Sequence, residues 1–203
     1  MVSVVVPYKE DRGFLTKCID SIHAQEYPDF EVIEVKNDAP VVVNINIGLK
    51  EARGAFFKVV GEDDWLPPNS LLDLVKGMKG HPWICANAIN TDGHRVNSQE
   101  TPPLDKLNLK DMANHNVIHN GTTMYRTEIL REIGGMDETL WTGEEYEMHL
   151  RLMSKGFLPG YVNKFVYYYR VWGNQKSRIY RKQNKPKRDG EIKRIQALYS
   201  NEV

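Results

Sequence analysis

Apolar and polar positions alternate along the chain in blocks that predict strands and helices in turn. Residues 2–6 form an unbroken β-branched run stopped by Pro7, the pattern of a strand buried on both faces in a parallel sheet. Leu15, Cys18, Ile19 and Ile22 then recur at helical spacing, up to Tyr27-Pro28. Residues 31–35 read as a second strand, closed by the turn residues Asn37-Asp38-Ala39-Pro40. A short helix over 44–53 ends at Gly54, and 56–60 is a third buried strand. Asn69 can cap a helix carrying Leu71, Leu72, Leu74 and Val75, and 83–88 is a fourth strand. Residues 90–116 are polar with little periodicity and read as a long functional loop or insertion. A short strand over 120–126, a short helix over 127–133, a stronger helix over 144–154 and an aromatic strand over 161–170 follow. Beyond Trp172 the composition shifts to Lys, Arg, Gln and Asn, with a short terminal helix over 192–199. The β-α-β opening predicts a Rossmann-like α/β fold with a mostly parallel central sheet flanked by helices.

The 203 residues, 41% hydrophobic and 27% charged, fit one globular domain with a tail. We expect a domain over 1–175, with a first half (1–88) that opens like many nucleotide-binding α/β folds and a second half (89–175), and a basic tail over 176–203. No apolar run approaches the roughly 20 residues of a transmembrane helix. The N-terminus lacks the pattern of a signal peptide, so a cytoplasmic setting is expected. Cys18 and Cys85, far apart, read as small core residues. The zero net charge hides an asymmetry. From position 176 onward nine Lys and Arg face three acids, a surplus of six that the rest of the chain balances. That pattern predicts an anionic partner for the tail, docking of the tail on the body, or a solvated tail.

Two acidic clusters carry candidate chemistry. Glu62-Asp63-Asp64 follows the third strand directly, where ligands bind in open α/β sheets. A hard divalent cation relieves the repulsion among such acids, with substrate phosphates completing its shell. The same triplet would also be favourable simply as charge near a helix N-terminus. Glu144, Glu145 and Glu147 open the helix over 144–154, where a carboxylate can take a proton from a hydroxyl or merely complement the helix dipole. Trp141 beside them reads as a stacking platform for a ligand ring or as a core aromatic. The six histidines show no metal-ligand spacing. G-x-x-x-x-G-K-[ST], G-x-G-x-x-G and G-x-S-x-G are all missing, which removes the main support for P-loop, dehydrogenase and hydrolase readings.

Taken in order, these segments resemble the family 2 glycosyltransferases of GT-A fold over residues 1 to about 177. The opening VSVVVPY, the first helix LTKCIDSIHAQEY, the segment NIGLKEARG (46–54), Gly61-Glu62-Asp63-Asp64, RTEILREIGGMD (126–137), Gly143-Glu144-Glu145-Tyr146-Glu147 with Arg151, and Tyr169-Arg170 to Ser177 carry the resemblance.

The resemblance implies a metal-dependent, inverting transferase that uses a nucleotide-sugar donor, most simply a UDP-sugar, with Mn²⁺ or Mg²⁺ as cofactor. Asp63 and Asp64 would hold the metal. Pro7, Tyr8, Glu10, Asp38, Asn46, Glu62 and Asp63 would line the nucleotide site. Glu145 would be the general base, and Trp141 and Glu144 would face an acceptor whose identity the sequence leaves open. Lys176, Arg178 and Arg181 would clamp the diphosphate. Three positions depart from the family pattern: Gly61 replaces the first metal-motif acid, Glu145 replaces Asp, and Trp172 replaces a metal-binding His. The rival is a degenerate module that binds nucleotide, or through its tail nucleic acid, without turnover; of these partners nucleic acid is the less expected.

Overall fold

The computed structural model describes residues 1–173, 175 and 184–200. Seven strands form one sheet: β1 (Val2–Tyr8), β2 (Phe30–Lys36), β3 (Phe56–Val59), β4 (Trp83–Thr91), β5 (Val96–Glu100), β6 (Met124–Arg126) and β7 (Pro159–Arg170). Their order is β2-β1-β3-β6-β4-β5, with β7 on β4. β1 pairs in parallel with β2 and β3, and β4 with β7; the pairings of β6 with β3 and β4 and of β5 with β4 are antiparallel. The sheet is therefore mixed, because short β6 reverses the chain between two parallel groups. β1, β3, β4 and β7 still all end at one edge, and the site lies there.

The β-branched run of β1 is buried from Val2 to Pro7, as a strand covered on both faces must be. Helices α1 (Leu15–His23) and α3 (Ser70–Gly77) cover one face, with Cys18, Ile22, Leu71 and Leu74 in the core beneath them. Helices α2 (Val41–Glu51), α5 (Thr127–Glu132) and α6 (Glu144–Ser154) bury Ile45, Leu49, Leu130, Met148 and Leu152 in a second core. Both cysteines are buried and free.

Two regions are more structured than the sequence reading. In 90–116, β4 runs on to Thr91 and turns through Asp92, whose Oδ1 accepts from the amides of His94 (2.9 Å) and Arg95 (3.0 Å). The chain returns as β5, then forms α4 (Leu109–Asn114), capped by Asn108. At the C-terminus, α7 (Lys185–Tyr199) is longer than the helix expected over 192–199 and is packed against α4 and α6. Ile195 is fully buried, and Tyr199 Oη donates to Glu147 Oε1 at 2.7 Å. No described helix is long and apolar enough to cross a membrane.

Candidate functional site

β3 delivers the acid triplet through a tight turn in which Asp64 N–H donates to Gly61 O at 3.0 Å. The three carboxylates take different environments. Asp64 folds inward and is 5% exposed. Its Oδ1 accepts from Arg170 N–H and its Oδ2 from Tyr167 Oη, each at 2.7 Å. Burial, and after it the neighbouring Asp63 charge, push its carboxyl up to about 8. Glu62 is buried and ion-paired with Arg12 from the loop after β1. Asp63 is half-buried, and its Oδ2 accepts from the indole N–H of Trp172 at 2.9 Å.

This geometry explains Gly61. A Cβ there would stand 3.0 Å from Asp64 Oδ2 and 3.3 Å from Asp63 Oδ1. A side chain at 61 would crowd both carboxylates, so the missing first acid is the space into which the turn closes. Asp64, expected beside the metal, spends both oxygens on internal donors instead.

Around the triplet, cations and aromatic rings interleave. Lys17 Nζ lies 3.6 Å from the Trp65 ring centre, and the Arg170 guanidinium sits over both Trp65 (4.7 Å) and Phe14 (4.3 Å). Phe14 meets Trp172 edge-on at 5.1 Å, and Arg12 covers Trp172 at 5.2 Å. These contacts hold the loop after β1 against the acid turn. Beneath lies Lys58, fully buried in β3, donating to Gly121 O (2.5 Å) and Val59 O (2.9 Å). Burial lowers its ammonium to about 7, against the opposing pull of Asp64. Arg12, Phe14, Lys17, Lys58 and Arg170 are site residues that the sequence reading missed. A lysine inside the apolar run of 56–60 was the one visible signal.

The expected nucleoside residues divide. Tyr8 ends β1, and its hydroxyl donates to Glu34 Oε2 at 3.1 Å. Pro7 is buried, and Glu10 is exposed in the following loop. Asp38 is exposed after β2 and ion-paired with Lys9. Asn46, expected on the nucleotide, is hydrogen-bonded within the fold. Its Nδ2 donates to Met136 O (2.9 Å) and Glu138 Oε1 (2.8 Å), and its Oδ1 accepts from Met136 N–H (2.9 Å). Both Nδ2 donors and one acceptor site of Oδ1 clamp the segment Met136–Glu138 onto α2.

Glu144 is buried and Glu145 half-exposed in the first turn of α6. Glu145 is near enough for its charge to act on the Tyr125 phenol, which burial first of all raises. Tyr125 Oη meets His149 Nε2 at 2.6 Å. Glu147 is structural, holding Arg151 at 3.0 Å and Tyr199. Trp141 is half-buried under Lys187 of α7, 4.9 Å away, so α7 covers one side of the expected acceptor platform. Lys176, Arg178 and Arg181 lie outside the described residues.

Among the described residues, no three His, Cys, Asp or Glu side chains gather around one point. Of the triplet Asp63 is the most open to a cation, since Asp64 is buried with both oxygens on internal donors and Glu62 is buried with Oε1 on Arg12. That suits Mg²⁺ or Mn²⁺ held by one protein oxygen, substrate phosphates and water.

No family model matches the chain. It is 21% identical over 206 residues to the O-antigen biosynthesis protein RfbC of Myxococcus xanthus, covering 84% of this chain and 16% of that protein. It is 20% identical over 187 residues to an uncharacterised glycosyltransferase of Rickettsia conorii, covering 75% of this chain and 31% of that one. The chain thus spans a third or less of the length of these curated relatives. Among solved structures it is similar to TarS of S. aureus (residues 1–349) in complex with UDP, at a TM-score of 0.68 and 19% identity over 98% of this chain and 64% of that one. It is also similar to the mannosyltransferase PcManGT of Pyrobaculum calidifontis in complex with GDP-Man and Mn²⁺, at 0.67 and 14% over 99% and 69%. The chain is therefore similar in sequence to glycosyltransferases and has the α/β fold of their GT-A type, the fold that its motif order implied.

Proposed function

We propose that this chain is the catalytic unit of a metal-dependent, inverting glycosyltransferase that moves a sugar from a UDP-sugar to an acceptor hydroxyl. The observation that carries this reading is the acid turn after β3. It engages both oxygens of Asp64, buries Glu62 against Arg12, and leaves Asp63 half-buried with one oxygen on the Trp172 indole, at the strand ends where phosphates bind. The UDP-bound TarS and the GDP-Man- and Mn²⁺-bound mannosyltransferase support the same donor chemistry.

Asp63 would hold the cation together with the donor diphosphate. A metal bound there neutralises the charge that develops on the leaving diphosphate. Arg170 and Trp172 fix Asp63 from two sides, through its carbonyl (2.8 Å) and its carboxylate. Tyr8, Asp38 and Glu10 stand at the ends of β1 and β2 to receive the nucleoside. The acceptor oxygen attacks the anomeric carbon from the face opposite the diphosphate. The bond from that carbon to the phosphate oxygen breaks, and Glu145 takes the hydroxyl proton. The free, buried cysteines suit the cytoplasmic setting that we assign.

One observation favours the rival, a nucleotide-binding module without turnover: the Trp172 indole already occupies an Asp63 oxygen. Hydrolysis and transfer assays over nucleotide sugars, with and without Mn²⁺, separate the two. Mn²⁺-dependent release of UDP that is lost in Glu145→Gln supports the transferase. UDP binding with no turnover of any donor supports the module.

A further inference from the structure

Beside the acid turn lies a cleft of about 310 Å³, lined by Gln99, Glu100, Thr101, Pro102, Val117 and His119. It joins β5 to the segment before β6, and His119 ties it to the candidate site. That ring lies edge-on to Tyr169 (5.0 Å) and tilted against Tyr167 (5.7 Å), whose hydroxyl holds Asp64. Tyr167 thus touches both the cleft residue His119 and Asp64 of the triplet.

Buried polar atoms normally find partners, and an orphan costs on the order of 1–3 kcal/mol. Among the described residues His119 Nδ1 is buried without a partner, as are Asn120 Oδ1 in the next residue and Asn90 Oδ1 on β4. Asn90 uses its Nδ2 to hold Ser98 Oγ (2.9 Å) and Glu100 Oε1 (2.5 Å), which sets the Glu100 carboxylate at the rim.

The lining selects the chemistry of the occupant. Among the described residues no Lys or Arg lines the cleft, and the Glu100 carboxylate disfavours an anion there. Pro102 and Val117 offer a small apolar surface; Gln99, Glu100, Thr101 and His119 offer donors and acceptors around it. A neutral ring with one apolar face and a rim of hydroxyls fits that pattern, and the volume admits about one such ring.

We propose that this cleft binds the acceptor, with a neutral sugar ring seated between Glu100 and His119. The proposal rests on the transferase reading but is tested without turnover. Methyl glycosides of glucose, galactose, mannose and N-acetylglucosamine are titrated into the isotope-labelled full chain by NMR, with and without UDP and Mg²⁺.

The expected result is saturable shifts at Thr101, Val117 and the His119 imidazole for at least one glycoside. Glu100→Gln should weaken that binding by about fivefold or more while keeping its melting temperature, since a charged acceptor becomes a neutral one. Val96→Ser, on the same strand outside the cleft, serves as the control that keeps it. Three outcomes overturn the proposal: no glycoside shifts these signals, Glu100→Gln binds as tightly as wild type, or UDP-N-acetylglucosamine shifts them where UDP and the glycosides do not, which would make the cleft a donor-sugar site. Failure of the transferase reading shows separately, as missing UDP binding in the arm without glycoside.

Discussion

Replacing Tyr167 by Phe removes one oxygen from beneath the candidate site and leaves the ring in place. Tyr167 is 2% exposed; its hydroxyl donates to Asp64 Oδ2 at 2.7 Å and accepts from Gly61 N–H at 3.1 Å. In the variant Asp64 keeps only the Arg170 amide, and Gly61 N–H loses its partner. A hydrogen bond to a buried charged acceptor contributes about 1.5–3 kcal/mol and an orphaned amide costs about 1–2, so the loss is about 3 kcal/mol when Asp64 is ionised. Burial raises Asp64 to about 8, so the native state binds a proton between the ordinary carboxylate range and pH 8 that the unfolded chain does not. Wild-type stability from this group is therefore present at low pH and is lost as pH rises through that window. The hydroxyl lowers the Asp64 pKa, so its removal raises that value further, and the deficit of Tyr167→Phe grows with pH. Urea denaturation in EDTA at pH 6 and pH 9 measures it. A deficit below about 0.5 kcal/mol at both pH values, or one that shrinks with pH, refutes the network as described.

Three further outcomes follow from named contacts. Trp172→Phe removes the indole donor from Asp63 and should tighten Mn²⁺ binding to the UDP complex several-fold by calorimetry; unchanged or weaker binding would show that Trp172 does not compete for that oxygen. Burial lowers Lys58 to about 7, so the fold sheds a proton that the unfolded chain keeps, and this group makes wild-type stability rise with pH above 7. Lys58→Met should therefore lose about 2 kcal/mol relative to wild type between pH 7 and pH 9, and parallel pH profiles would contradict this. Ile195→Ala empties a fully buried position on α7 and should cost about 2–4 kcal/mol in thermal or urea unfolding, whereas a solvated tail would lose almost nothing.

Much of the architecture was legible because burial writes itself as pattern. The β-branched run of β1 and the helical spacing of Leu15, Cys18 and Ile22 read correctly, since each element buries a regular face. β5 left no such mark: Val-Asn-Ser-Gln-Glu is exposed at every residue, so nothing in its composition alternates. α7 was read too short because only Ile195 and Tyr199 are buried along it, within a strongly basic stretch. At the site, the triplet was visible, but the division of labour within it was not. Asp63 and Asp64 are neighbours in sequence; the turn at Gly61 sends one inward to Tyr167 and leaves the other facing Trp172. Asn46 matched a motif spacing, yet its partner is a turn some ninety residues away (90 to Met136), a contact that local sequence does not record. Arg12 likewise reaches Glu62, and Arg170 Asp63, across long sequence distances.

The role of Asp63 is tested most directly by UDP binding to wild type and Asp63→Asn, titrated by calorimetry with and without Mn²⁺. The account predicts that Mn²⁺ tightens UDP binding to wild type and that this gain disappears in Asp63→Asn, while metal-free binding to the two proteins stays the same. An equal gain in both proteins would contradict it.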